Sequence, residues 1–247
     1  MASFAFKSGD ELLPRINETA ARLLCIVGLH LLITTSGCGS SIHKLAASND
    51  APALEAKLSE CNDVDKRDGS GWTALHHAAE NGSVQSLRVL LESNASATAE
   101  APFVGASMHI AAWKGELTAL QELLSHGVPV DLYSPVAGTA LWQAARWGRA
   151  SVARFLIEHD ADVDLKYCDS SPLHIAAMCR HHEVVEVLLS KRANVRMVDS
   201  DGRTALHVAA MMNDVAMVEL LLNANSDPHA TTMQGDGCSS IRHQGPC

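Results

Sequence analysis

Thirteen histidines and seven cysteines are the residues of this chain best equipped for chemistry. His174, Cys179, His181 and His182 form the densest group of potential metal ligands. A zinc site needs three or four such groups converging at about 2.0–2.3 Å. Here three of the four fall at one turn between helical stretches, and no C-x-x-C pair supports them. His182-Glu183-Val184-Val185-Glu186 opens like H-E-x-x-H but ends on Glu, so the second imidazole of a zinc-protease helix is missing. No G-x-S-x-G, G-x-G-x-x-G or G-x-x-x-x-G-K-[ST] stretch occurs. We expect no catalytic residue, no metal site and no cofactor.

The elements that would position these side chains are periodic. Five of the histidines, His43, His76, His109, His174 and His207, recur with one pattern. Its leucine position recurs as Leu75, Met108, Leu141, Leu173 and Leu206, at intervals of 33, 33, 32 and 33 residues. A fixed period in this range marks a stacked array, in which no unit can bury its apolar face alone. Within each period a short Ala-rich segment precedes a longer one with an apolar stripe. The stripes are Val84-Leu87-Leu90-Leu91, Leu117-Leu120-Leu123-Leu124, Val152-Phe155-Leu156, Val184-Val185-Leu188-Leu189 and Val215-Val218-Leu221-Leu222. Spacings of three and four put each set on one helix face.

Thr73 to Ala79 (T-A-L-H-H-A-A), Ser107 to Ala112 (S-M-H-I-A-A), Ser171 to Ala177 (S-P-L-H-I-A-A) and Thr204 to Ala210 (T-A-L-H-V-A-A) resemble ankyrin repeats. The resemblance covers roughly residues 37–233. It implies an all-α ankyrin-repeat solenoid of stacked helix-turn-helix units with β-hairpin-like finger loops. It also implies that the recurring histidines are scaffold, bonding locally around the Thr-x-Leu-His turn. Trp142 replaces the histidine in one copy, so that turn must be held differently. The function implied is protein–protein recognition, as a scaffold, adaptor or inhibitor. An alternative is the regulatory ankyrin part of a larger enzyme or channel.

The units read as a degenerate first repeat at 37–69, then five repeats at 70–102, 103–135, 136–167, 168–200 and 201–233. Residues 234–247 read as a truncated repeat start and a disordered tail, which leads us to expect Met217, Leu220 and Leu221 partly exposed. Thr73, Ser107 (one residue out of register), Thr139, Ser171 and Thr204 stand where a hydroxyl caps the first helix. Gly82, Gly115 and Gly148 stand where a left-handed residue ends it, with Asn213 as a tolerated substitute. Arg180 holds the same place, and its Cβ predicts an altered turn there. Residues 1–36 lie outside the pattern. Their apolar stretch, Ala20 to Ile33, is too short to span a membrane. It serves either as a helical extension of the stack or as a secretory signal ending at Ser36-Gly37-Cys38, with Cys38 lipidated. Only the second reading brings in a membrane, as a lipid-anchored envelope protein.

The formal charge of −9 argues against nucleic-acid binding, which wants a basic face. An odd number of cysteines without paired spacing points to reduced thiols and an intracellular chain, cytoplasmic or nuclear. The expected state is a monomer. Ankyrin-like stacks recognise partners through the fingers and the exposed side of the first helices, together a concave face. That resemblance selects Trp113, Lys114, Arg146, Trp147, Met178 and Met211 ahead of the helix-ending turns, and Tyr133 and Tyr167 in the fingers. Trp, Tyr and Arg combine large area with a polar handle, and Met adds adaptable contact. Lys114, Arg146, Arg149 and Arg154 add a local basic area. The expected partner is therefore a protein segment with acidic and apolar residues.

Overall fold

Short Ala-rich segments and longer Leu/Val-rich ones alternate along the chain, and each folds as a helix. The structure is a computed structural model that describes residues 42–61 and 63–233. The expectations for residues 1–36, for Cys38 and for 234–247 lie outside the described residues. Among the described residues six helix pairs follow one another: α1 (Ile42–Ala47) and α2 (Ala51–Ser59), α3 (Ala74–Glu80) and α4 (Val84–Glu92), α5 (Ser107–Lys114) and α6 (Leu117–Ser125). Then come α7 (Ala140–Arg146) and α8 (Ala150–Glu158), α9 (Pro172–Met178) and α10 (His182–Ser190), and α11 (Ala205–Met211) and α12 (Val215–Asn223). The first member of each pair packs on the first member of the next, α1 through α11, forming an inner row. The second members α2 through α10 pack likewise in an outer row.

The core lies between these rows. Ala74, Ala78 and Ala79 of α3 are fully or almost fully buried, as are Ala111, Ala112, Ala144, Ala145, Ala176 and Ala177 in the later inner helices. Methyl side chains let the inner helices approach closely. Leu87, Leu90, Leu120, Leu123, Leu156 and Leu188 from the outer helices fill the remaining space. Truncating such a leucine to Ala costs about 2–5 kcal/mol, because a stacked repeat relaxes little around a cavity. Met217 and Leu221 are fully buried, contrary to the sequence expectation. They belong to the main core, where α12 packs against α11 of its own pair. Leu220 is half-buried.

Four inner helices start at the expected hydroxyls, Thr73, Thr139, Ser171 and Thr204. The fifth does not. Ala106 is the cap of α5, and Ser107 is its first helical residue, its hydroxyl turned to the Ala97 carbonyl at 3.3 Å. Arg180 also departs from expectation. It takes φ 60 in the same left-handed turn as Gly82, Gly115, Gly148 and Asn213, so the turn is conserved in shape and the Cβ is tolerated. Its guanidinium donates to the Met212 carbonyl of the following inner helix, which offsets the strain.

Three buried imidazoles tie an inner helix to the loop that follows it. His76 Nδ1 accepts the Thr73 amide at 3.1 Å, and Nε2 donates to the Ala99 carbonyl at 2.9 Å. His109 repeats this with Ala106 and with the Leu132 and Gly138 carbonyls. His174 binds the Ser171 hydroxyl and the Arg203 carbonyl. Trp142 does the same work with other atoms. Thr139 Oγ1 accepts the Trp142 amide, and the indole N–H donates to the Ser170 carbonyl at 3.1 Å. Loop carboxylates add a second tie: Asp65, Asp131 and Asp164 accept the amides of Ser96, Asp162 and Asn194.

The fingers are shorter than hairpins. Among the described residues there are no strands, only single bridges at Ala101–Gly105, Ser134–Gly138 and Tyr167–Ser170. The first two turn through Pro102-Phe103 and Pro135-Val136, with proline presetting the first corner. The third is one residue tighter. Cys168 and Asp169 both take positive φ, 48° and 61°, the sign pair of a type I′ turn. That missing residue accounts for the 32-residue interval between Leu141 and Leu173.

Candidate protein-interaction surface

Residues at one offset in successive repeats meet along the inner row. The C-terminal ends of α3, α5 and α7 place Glu80, Trp113, Lys114, Arg146 and Trp147 side by side. Lys114 Nζ sits 2.9 Å from Glu80 and 4.5 Å from the centre of the Trp113 ring. The Trp113 and Trp147 rings lie 5.5 Å apart at 38°. The Arg146 guanidinium lies 5.3 Å from the Trp147 ring and 5.8 Å from the Trp142 ring. Trp142 meets Tyr167 edge-on at 4.9 Å, and Tyr167 meets Tyr133 at 6.3 Å. Six of the eight residues selected from the sequence thus form one chain of contacts, from inner helices into fingers.

The structure adds neighbours that anchor this row. Trp147 donates its indole N–H to Gln143 Oε1 at 3.2 Å, which holds the ring against α7. Arg149 Nε donates to the Trp113 carbonyl at 2.9 Å, capping a helix-end acceptor across the repeat boundary. Trp113 also packs on a small apolar cluster of Trp72, Ala101 and Ile110, distinct from the main core. Trp142 is only 6% exposed and belongs to the core rather than the surface. Met178 and Met211 end α9 and α11 and are exposed, but no ring or ion contact ties them to the row. Arg154 lies in α8, in the outer row, and does not share the basic area of Lys114, Arg146 and Arg149.

One exposed residue escaped the sequence reading. Phe103, at the tip of its finger, is 71% exposed and holds φ 65. A bulky side chain at positive φ is an outlier that glycine would relieve. Pro102 before it was the available signal, since the residue after a turn proline often takes that conformation.

The potential metal ligands are engaged elsewhere. His174 is in the imidazole ties, His181 Nε2 meets the Arg146 carbonyl at 3.1 Å, and His182 Nε2 pairs with Asp214 at 3.0 Å. Among the described residues no cluster of three metal-binding side chains forms, and no helix is long and apolar enough to cross a membrane. Cys61, Cys168 and Cys179 are free thiols.

Comparison with known proteins gives this geometry a context. The family model for ankyrin repeats (three copies) matches residues 17–101, 42–134, 105–167 and 141–232. No curated protein matches the chain in sequence. Among solved structures, the human ASB11 ankyrin repeat domain is similar with a TM-score of 0.74 at 21% identity, covering 83% of this chain and 93% of that one. The ankyrin repeat domain of Bcl-3, a member of the IkappaB protein family, has a TM-score of 0.74 at 22% identity, covering 83% and 95%. An ankyrin repeat domain from Acinetobacter baumannii has a TM-score of 0.65 at 28% identity, covering 75% and 98%. Repeats of this kind are in general protein–protein interaction modules rather than catalysts. With the profile matching most of its length and the stacked helix pairs to go with it, the chain belongs to the ankyrin-repeat family.

Proposed function

We propose that this chain is a recognition module, a scaffold, adaptor or inhibitor, that binds a protein segment along the inner row and fingers of its second to fourth full repeats. The observation that carries this reading is the Trp113–Trp147 ring pair. Large aromatic rings are the residue type that dominates binding energy when a partner covers them. Here two of them stand half-exposed and adjacent, with Lys114 and Arg146 at their edges. Tyr133, Tyr167, Met178 and Met211 extend the surface on either side. The partner segment carries apolar residues for the rings and acidic residues for the basic edge. The chain works as a monomer in a reducing, cytoplasmic or nuclear, compartment.

The test is quantitative capture of proteins from the native source by wild-type chain and by folded Trp113→Ala and Trp147→Ala variants. Each substitution should weaken the bound partner by about 30-fold, the scale of a hot-spot truncation. A partner retained equally by all three chains refutes the assigned surface.

A further inference from the structure

The cations around the row mostly have acceptors. Arg88 pairs with Glu122 at 2.9 Å, Lys114 with Glu80 at 2.9 Å and Arg203 with Asp201 at 2.7 Å. Arg149 donates to a carbonyl. Arg146 is different. It is half-buried at the end of α7, between two indole rings. Among the described residues no carboxylate or carbonyl faces its guanidinium. The ionisable groups beside it are the Cys179 thiol and the Tyr167 phenol. Both are neutral at physiological pH, since burial pushes the thiol up and, with Cys168 beside it, raises the phenol to about 12. Burial in turn pulls Arg146 below its ordinary range.

A guanidinium carries five N–H donors in a rigid fork. Ring faces stabilise its charge, but they give those donors no acceptor. A partly desolvated charge whose donors meet no protein acceptor gains from a carboxylate, which matches the fork with two parallel bonds. We propose that Arg146 is the seat for one Asp or Glu side chain of the partner segment, with a neighbouring apolar residue of that segment laid on Trp113 and Trp147. The proposal rests on the inner-row reading above and makes it specific. Glu80 already answers Lys114, so the row takes a single carboxylate rather than an acidic run. The net charge of −9 works against general attraction of acidic chains, which leaves local geometry to select the ligand.

The probe is a phage-displayed library of random 12-residue peptides selected against the full chain. Recovered peptides should share one acidic residue next to an aromatic or aliphatic one. In a synthetic copy, changing that acid to its amide should weaken binding by about 30-fold or more, the scale for breaking a hydrogen-bonded charge pair. Arg146→Met, which keeps the apolar stem, should cost about the same, and Arg146→Lys should restore only part of it. The two changes together should cost little more than either alone, since they remove one interaction. Peptides without acidic enrichment, or losses that simply add, overturn the Arg146 seat. If Trp113→Ala and Trp147→Ala still abolish binding in that case, the inner-row reading stands. If they do not, the row itself is wrong. The acid-to-amide change is made in the peptide, so it reads the contact even where an Arg146 variant folds poorly.

Discussion

Acidification from about pH 7 to pH 5 should loosen this stack, and the buried imidazoles of the inner row set the size of the effect. His76 is pushed down from 6.5 to about 4, chiefly by burial. Geometry adds a reason. Its Nδ1 lone pair accepts the Thr73 amide, so a proton there would face a donor. His109 and His174 are lowered for the same leading cause. The sign follows. The unfolded chain takes up protons near pH 6.5 while the folded one does not, so stability is full above that value and falls as pH drops toward 4. For His76 alone the loss at pH 5 is about 2 kcal/mol, and below pH 4 it approaches about 3 kcal/mol. His109 and His174 add in the same direction. Asp68 acts in a different window. Burial would raise its carboxyl, but hydrogen bonds from Ser70 and His77 and from the Trp72 and Ser70 amides hold it well below the usual range. Its contribution is lost only below about pH 4. Urea unfolding of the full chain followed by far-UV circular dichroism at pH 7, 6 and 5 measures the loss, and the NMR titration of His76 locates its source. Equal urea midpoints at pH 7 and 5, or a His76 titration near 6.5 in the folded chain, would refute the reasoning.

Phe103→Gly should stabilise the fold by about 0.5–1 kcal/mol, because relief of a left-handed Phe exceeds the added freedom of an unfolded glycine. A thermal scan should show Tm rising by about 1–3 °C, and a fall would contradict the strain assigned to φ 65. Gly138→Ala should cost about 2 kcal/mol or more, since Gly138 has φ +76 and an added Cβ would stand 2.7 Å from Tyr167 Cβ and Cγ. Gly69→Ala, with nothing within 4 Å of the new atom, should stay within about 0.5 kcal/mol in the same urea assay.

The helices, their pairing and the scaffold histidines were legible because period, cap and stripe all pointed to one architecture. Trp113 and Trp147 could be placed together because a shared offset in adjacent repeats becomes proximity once the repeats stack. Arg154 shows where that logic stops: closeness in sequence put it with Arg146, but it sits in the outer helix across the pair. Ser107 stands one residue out of register, and the register prevailed: Ala106 caps α5, since a capping hydroxyl is helpful without being required. Arg180 misled because the cost of a left-handed Cβ is about 1–2 kcal/mol, which a stacked neighbour and one hydrogen bond can offset. The pairing of Lys114 with Glu80, which leaves Arg146 as the cation of the row without an acceptor among the described residues, depends on side-chain placement that no spacing rule carries.

The tight Cys168-Asp169 turn shows how this chain accommodates a change in its own length. The tie from Trp142 to Ser170 spans 28 residues, where that from His109 to Gly138 spans 29. The tie from His181 to Arg146 spans 35, where that from Arg149 to Trp113 spans 36. Each is one residue shorter, yet the same kinds of partner meet across the next boundary. The lost residue was absorbed wholly at the fingertip, and helices, caps and stripes kept their phase. The tip is therefore the natural graft point: residues can be added or removed there, and binding loops diversified, without retuning the column beneath.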